Sequence, residues 1–351
     1  MRAALLTLLL PLLLTALPRP ALADAVGLIY HRFGEGQYPT TSIDLETFEA
    51  QLDHLEENDF RIWPLSRVVS HLVQGRELPD RVVSITIDDA YASVYHEAFP
   101  RLQARGWPFT VFVNTEPVDR GYGGIMTWDQ MREMAAAGVE FANHSARHPY
   151  LPQRQEGESE GAWAERVKTE IREADQRLRA ELGDAVADDP ALLAYPYGDY
   201  DAATAEIARE LGHVGIAQHS GPIGDGADLR ALPRFPVGNE GYPMERFRLR
   251  VATRALPVAT ATPWDPATEA ERPEMRVELA EPIEGWQGLN CFVKGQSEPA
   301  KVEWVEPGRT FTARARQPLR DGLVHYNCTA RGPDGRYWWY SHLWRAEPGA
   351  E

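Results

Sequence analysis

The run Val82-Val83-Ser84-Ile85-Thr86-Ile87 leads straight into Asp88-Asp89-Ala90. β-Branched and apolar residues dominate it, without polar alternation. That pattern marks a strand covered on both faces, as in a parallel sheet. Two adjacent carboxylates at the end of such a strand can divide labour, one holding a metal and one taking a proton. The plainer alternative is that one Asp caps the next helix while the other is solvated.

Similar units recur on both sides. Residues 25–30, 60–63, 109–113, 139–142, 192–194 and 214–217 read as further strands. Helical patterns fall between them. Leu45, Phe48, Leu52 and Leu55 share one face of a helix capped by Asp44, and Ser66 opens another that runs to Val73. Residues 91–105 read as one helix stopped by Gly106. Thr127 and Gln130 form a capping box, and helices follow at 161–182 and 202–211. Regular strand–helix alternation gives an α/β class with a parallel sheet and helices outside. Six or seven such units can close into a barrel, whose working residues lie at the C-terminal ends of the strands.

The chemistry-bearing residues obey that rule. His144 and His148 follow the strand at 139–142. Two imidazoles four residues apart converge on one ion if the segment turns like a helix, and with Asp89 they make a two-His, one-carboxylate set. The alternative is a pair of polar loop histidines. His31 ends the first strand and can act as an acid, although a strand-end His also serves structure alone. Tyr195-Pro196-Tyr197-Gly198 follows another strand and also fits a simple Pro-Gly turn. Arg234 reads either as a surface residue or as a partner for a buried carboxylate.

The motifs Thr86-Ile87-Asp88-Asp89-Ala90, His144-Ser145-Ala146-Arg147-His148 and Tyr195-Pro196-Tyr197-Gly198 stand in a familiar order. Over about residues 26–240 the sequence resembles the NodB-like polysaccharide deacetylases, carbohydrate esterase family four. Tyr30-His31 is similar to the branch that deacetylates poly-N-acetylglucosamine. The resemblance implies a distorted (β/α) barrel of about seven strands over 24–257. It implies removal of acetate from an N-acetylated polysaccharide, which is hydrolysis of a non-peptide carbon–nitrogen bond. Asp88 would be the base, and Asp89, His144 and His148 would hold a divalent metal, zinc above all, with cobalt or nickel accepted. Pro196 and Tyr197 would face the substrate, with the Tyr197 N–H binding the oxyanion. His31 would be the acid, with His219 as a rival. Three positions depart from the family pattern: Ile87, Ala90 in place of Gly, and Ala194 where many members carry an Arg that orients the base. Arg234 is the candidate to replace that charge. Two other functions stay open: a non-catalytic glycan-binding protein, and an amidase or esterase for another acyl group.

The flanking segments set the context. Met1-Arg2, an apolar run and Ala21-Leu22-Ala23 read as a signal peptide over 1–23, hence an exported, periplasmic or extracellular protein not inserted in the membrane after cleavage. The formal charge is −16, which argues against nucleic acid and anionic membranes as partners. Residues 258–274, rich in Ala, Thr and Pro, read as a linker. Short strands over 275–351 then suggest a small all-β sandwich. Cys291 and Cys328 both fall there, and in an exported chain they form a disulfide. Trp286, Trp304, Tyr337, Trp338, Trp339, Tyr340 and Trp344 make this region aromatic, either to stack on sugars or to build its core.

Overall fold

The structure, a computed structural model, describes residues 24–238, 242–283 and 285–346. The expected signal peptide lies outside the described residues. Seven parallel strands form a curled barrel: β1 (Ala25–Tyr30), β2 (Val82–Asp88), β3 (Thr110–Val113), β4 (Glu140–Asn143), β5 (Ala191–Ala194), β6 (His213–Ile216) and β7 (Phe235–Pro236). They lie in the order β7-β1-β2-β3-β4-β5-β6, and the two-residue strand Arg61–Ile62 pairs with the start of β2. Every residue of β1 and β2 is buried, as continuous apolar strands require. The curl is joined on its far side by residues 232–236. Leu232 bridges to Ile216 on β6, and Phe235 pairs with Leu28 on β1. Strand β7 was not foreseen, since two residues, one of them a proline, carry no pattern.

Helices cover the outside. α1 (Leu45–Glu57) buries Phe48, Leu52 and Leu55, and α2 (Leu65–Val73) follows. The helix expected over 91–105 is broken up. Tyr91 bridges to Ile125, Val94–Ala98 form a π-turn, and only α3 (Phe99–Ala104) is regular. Pro100 has no N–H to give to the preceding turn, so the helix starts with a wider one. α4 (Trp128–Ala136) has the expected capping box, in which Gln130 N–H donates to Thr127 Oγ1 and Thr127 N–H donates to Gln130 Oε1. α5 (Glu160–Leu182) and α6 (Ala202–Glu210) complete the helices that support the site.

Beyond Arg254 the chain is a two-sheet sandwich. β8 (Val258–Thr262), β9 (Glu274–Leu279), β11 (Lys301–Glu306) and β12 (Thr310–Arg314) make one sheet, ordered β8-β9-β12-β11. β10 (Gln287–Val293), β13 (Gly322–Arg331) and β14 (Tyr337–Ala346) make the other, with Arg254–Ala255 added along β14. Cys291 and Cys328 are direct cross-strand partners and form the disulfide. The expected linker is therefore corrected. Residues 258–262 pair with β9, and Ala267–Thr268 pair with the end of β14. An edge strand with three of its five residues exposed and none buried shows no alternation, which is why it read as irregular. Alternate residues of β14 serve both domains. Trp344 packs in the sandwich core, while Leu343 packs with the barrel's helices. Trp339 meets the buried barrel residue Phe235 edge-on, with ring centres 5.2 Å apart. Among the described residues, no helix is long and apolar enough to cross a membrane.

Candidate active site

Asp88 is the last residue of β2, and Asp89 turns away from it with φ +73°. His144 follows β4, and the next four residues bring His148 back beside it. The turn is not helical: Ser145 (φ +63°) and His148 (φ +59°) both adopt left-handed backbone. Asp89 Oδ1 lies 3.4 Å from His144 Nε2 and 3.2 Å from His148 Nε2, and the two Nε2 atoms are 3.1 Å apart. An ion bound tetrahedrally at about 2.0–2.1 Å separates its ligand atoms by about 3.4 Å. The triangle therefore matches the donor set of such an ion. His144 Nδ1–H donates to the Ala194 carbonyl at 2.8 Å, which leaves the Nε2 lone pair aimed into the triangle.

Asp88 has a different environment. Arg234 donates to both its oxygens, at 2.7 and 2.9 Å, and both side chains are fully buried. Arg234 also donates to Thr86 Oγ1 at 2.9 Å and to the Ala217 carbonyl at 3.1 Å. The guanidinium expected at position 194 thus arrives from residue 234, just before β7. His31, half-buried at the end of β1, feels the charges of Asp88, Asp89, Arg234 and His144. His219 does not. The charge that acts on it is Asp228, and its ring lies near Tyr200. Of the two expected acids, only His31 comes to the site.

Residues 75–216 match the family model described as polysaccharide deacetylase. The match covers about two fifths of the chain. The Bacillus subtilis (strain 168) protein YxkH, named after the same family, is 25% identical over 215 residues, 60% of this chain and 70% of its own. The poly-beta-1,6-N-acetyl-D-glucosamine N-deacetylase of Escherichia coli (strain K12) is 24% identical over 233 residues, 56% of this chain and 34% of that one. The chain thus matches about a third of that enzyme's length. Streptococcus pyogenes deacetylase PplD, solved with acetate, superposes with a TM-score of 0.58 at 23% identity, over 66% of this chain and 99% of its own. The family match includes both aspartates, both histidines and Tyr197. His31 and Arg234 fall outside it.

The histidine loop is gripped by α5 from outside. Asn143 donates to Asp175 Oδ1 and to the Ile171 carbonyl, and its own Oδ1 accepts from Ser145 N–H at 2.7 Å. Glu170 accepts from Arg147 N–H and pairs with the Arg147 guanidinium, while its carbonyl accepts from Ala146 N–H. Neither Asn143 nor Glu170 was singled out from the sequence; a buried Glu amid the helix's apolar face was the available signal. The Tyr197 ring stands edge-on to His148, with centres 4.4 Å apart, and stacks on Tyr150 at 4.0 Å. Tyr197 itself has φ +60°, Pro196 is buried below it, and Ala90 sits at φ +52°. Left-handed backbone at non-glycine residues thus gathers around one site, as strain at functional sites does. It also explains why glycine is usual at position 90 in the family.

The electrostatics hold both carboxylates below their ordinary range. Burial pushes Asp88 upward, but Arg234, His144 and His31 outweigh it and hold it below the ordinary range. Burial likewise opposes ionisation of Asp89, and the three histidines overcome it. Burial and the neighbouring His144 push His148 down to about 4, leaving it neutral and able to donate its lone pair. Burial lowers His31 as well, while Asp88 and Asp89 pull it back up.

Proposed function

We propose that the protein removes N-acetyl groups from an N-acetylglucosamine-containing polysaccharide in a metal-dependent hydrolysis, releasing acetate. The observation that carries this reading is the largely buried Asp89–His144–His148 triangle beside an Asp88 held by Arg234. The three donors, one carboxylate and two imidazoles, suit zinc best and also accept cobalt or nickel. A divalent cation there supplies Lewis-acid polarisation of water and of the acetyl carbonyl.

The chain's own residues do the rest. Asp88 accepts the proton of the attacking water. Arg234 fixes the carboxylate's two oxygens, so that its orientation costs nothing at the moment of reaction. The Tyr197 N–H donates to the oxygen that becomes negative. His31 gives a proton to the amine, a poor leaving group until protonated, and such a proton transfer is worth roughly 10²–10⁴-fold. Export is part of the proposal, supported by the disulfide, which persists in oxidising compartments. Acetate release from N-acetylglucosamine oligomers, measured with zinc and after chelation, tests the reading. Zinc-dependent release is expected. Metal-loaded protein that frees no acetate from any glycan would leave a binding protein instead, and release only from other acyl compounds would leave an amidase or esterase.

A further inference from the structure

Two tyrosine rings on the rim of the metal triangle are used by no step of the reaction above. Tyr197 and Tyr150 stack on each other, with centres 4.0 Å apart and planes 12° from parallel. Tyr197 in turn meets the His148 ring edge-on at 4.4 Å. The rings therefore run outward from the metal ligand in sequence: His148, Tyr197, Tyr150. The pair is not packed away, since Tyr150 keeps 47% of its surface exposed and Tyr197 44%. Single exposed apolar side chains are ordinary on a protein, but a stacked pair at the mouth of a site is a surface for a ligand.

The pair is also held still. Tyr150 follows His148 by two residues, across Pro149, whose ring fixes its own backbone angle. On the other side Leu151 is fully buried, and its carbonyl accepts from the Trp163 indole N–H of α5 at 2.9 Å. The Tyr150 carbonyl closes a turn by accepting from Gln153 N–H at 3.1 Å. Tyr197 is set by its left-handed backbone, with Pro196 buried beside it. A ring already in place loses little freedom when a ligand covers it, so more of the contact energy appears as affinity.

The position says what covers them. The acetyl carbonyl has to reach the triangle, so the sugar that bears it lies over the mouth, and the units joined to it cross the rim. Tyr197 stands next to a metal ligand, and Tyr150 lies one ring further out. A pyranose presents a face of C–H groups that lies flat on an aromatic ring, and the phenol oxygen at the ring's edge can bond its hydroxyls. We propose that Tyr150 is a substrate-binding residue whose exposed ring, backed by Tyr197, carries the pyranose unit next to the one being deacetylated. This subsite rests on the deacetylase reading for the class of polymer, and adds that the site grips a run of sugars.

The test measures acetate release from the N-acetylglucosamine tetramer by the zinc-loaded full chain. Tyr150→Ala should raise KM at least about tenfold, the loss of one stacked ring. It should change kcat far less, the pattern of a contact equally strong in the bound substrate and in the transition state. Tyr150→Trp keeps a flat aromatic face and should hold KM within about threefold of the parent. Melting curves show whether the variants fold, and Tyr150→Leu, which fills the space without a flat ring, takes the place of Tyr150→Ala if that one does not. If Tyr150 only props Tyr197, the result is the reverse: kcat falls with the displaced oxyanion donor and KM stays, which overturns the proposal. Normal release with a KM indifferent to residue 150 overturns the subsite alone. A parent chain that frees no acetate from any glycan overturns the deacetylase reading and the subsite with it.

Discussion

Arg234 and Asp88 make a fully buried ion pair, and the Arg spends its remaining donors on Thr86 and the Ala217 carbonyl. Breaking such a pair by removing one partner costs about 3–5 kcal/mol, because the other charge stays buried and alone. Arg234→Ala should therefore lower the melting temperature and abolish acetate release. Arg234→Lys keeps the charge and loses the two-pronged grip, so it should recover part of the stability and little of the turnover. Melting curves and acetate release, with its pH profile, separate these effects. Unchanged turnover in Arg234→Ala would remove the residue from the account. Glu140 gives a pH prediction away from the metal triangle. Burial raises it, against hydrogen bonds from Ser66 and Thr110. A carboxyl raised in the folded state contributes stability that is full below its unfolded value and lost as pH rises through the folded one. Glu140→Gln should therefore shrink the loss of stability seen as pH rises above the ordinary carboxylate range, relative to the parent chain. Equal pH slopes by calorimetry would contradict this.

The histidine loop depends on an element that contributes none of the three candidate ligands. α5 holds it through Glu170 and, by way of Asn143, through Asp175. Loss of such outer hydrogen bonds costs typically about 10–100-fold in metal affinity. Glu170→Gln and Asn143→Ala should both weaken zinc in competition with a chelator, with much less effect once zinc is saturating. Elements of this size were also where the sequence was most and least legible. The strand Val82–Asp88 could be read because seven consecutive buried residues leave a long apolar run. Its partners on the rim followed from the same rule. β7 could not be read, because its existence depends on β1 lying open beside it and not on its own two residues. The π-turn before α3 turned on one proline, and β8 was hidden by its exposure. Arg234 was legible only as a missing charge at position 194. That it would enter from the far side of the sheet depends on the curl that brings 232–236 against both edges.

At the scale of the whole molecule, two domains share β14. The disulfide closes a loop 37 residues apart in sequence, entirely within the sandwich. A cross-link of that span stabilises by about 4 kcal/mol in the chain-entropy picture. Reduction should lower the melting of the sandwich and leave zinc bound in the barrel, so that calorimetry resolves two transitions where the oxidised chain shows them closer together. Loss of zinc on reduction would mean that the barrel cannot hold its site without the sandwich.

The division of labour between the two aspartates carries the rest, and zinc content measured beside acetate release addresses it most directly. Asp88→Asn should keep about one zinc per chain and release almost no acetate, while Asp89→Ala, His144→Ala and His148→Ala should each lose both. Full zinc content in those three variants, or normal acetate release by Asp88→Asn, would contradict the account.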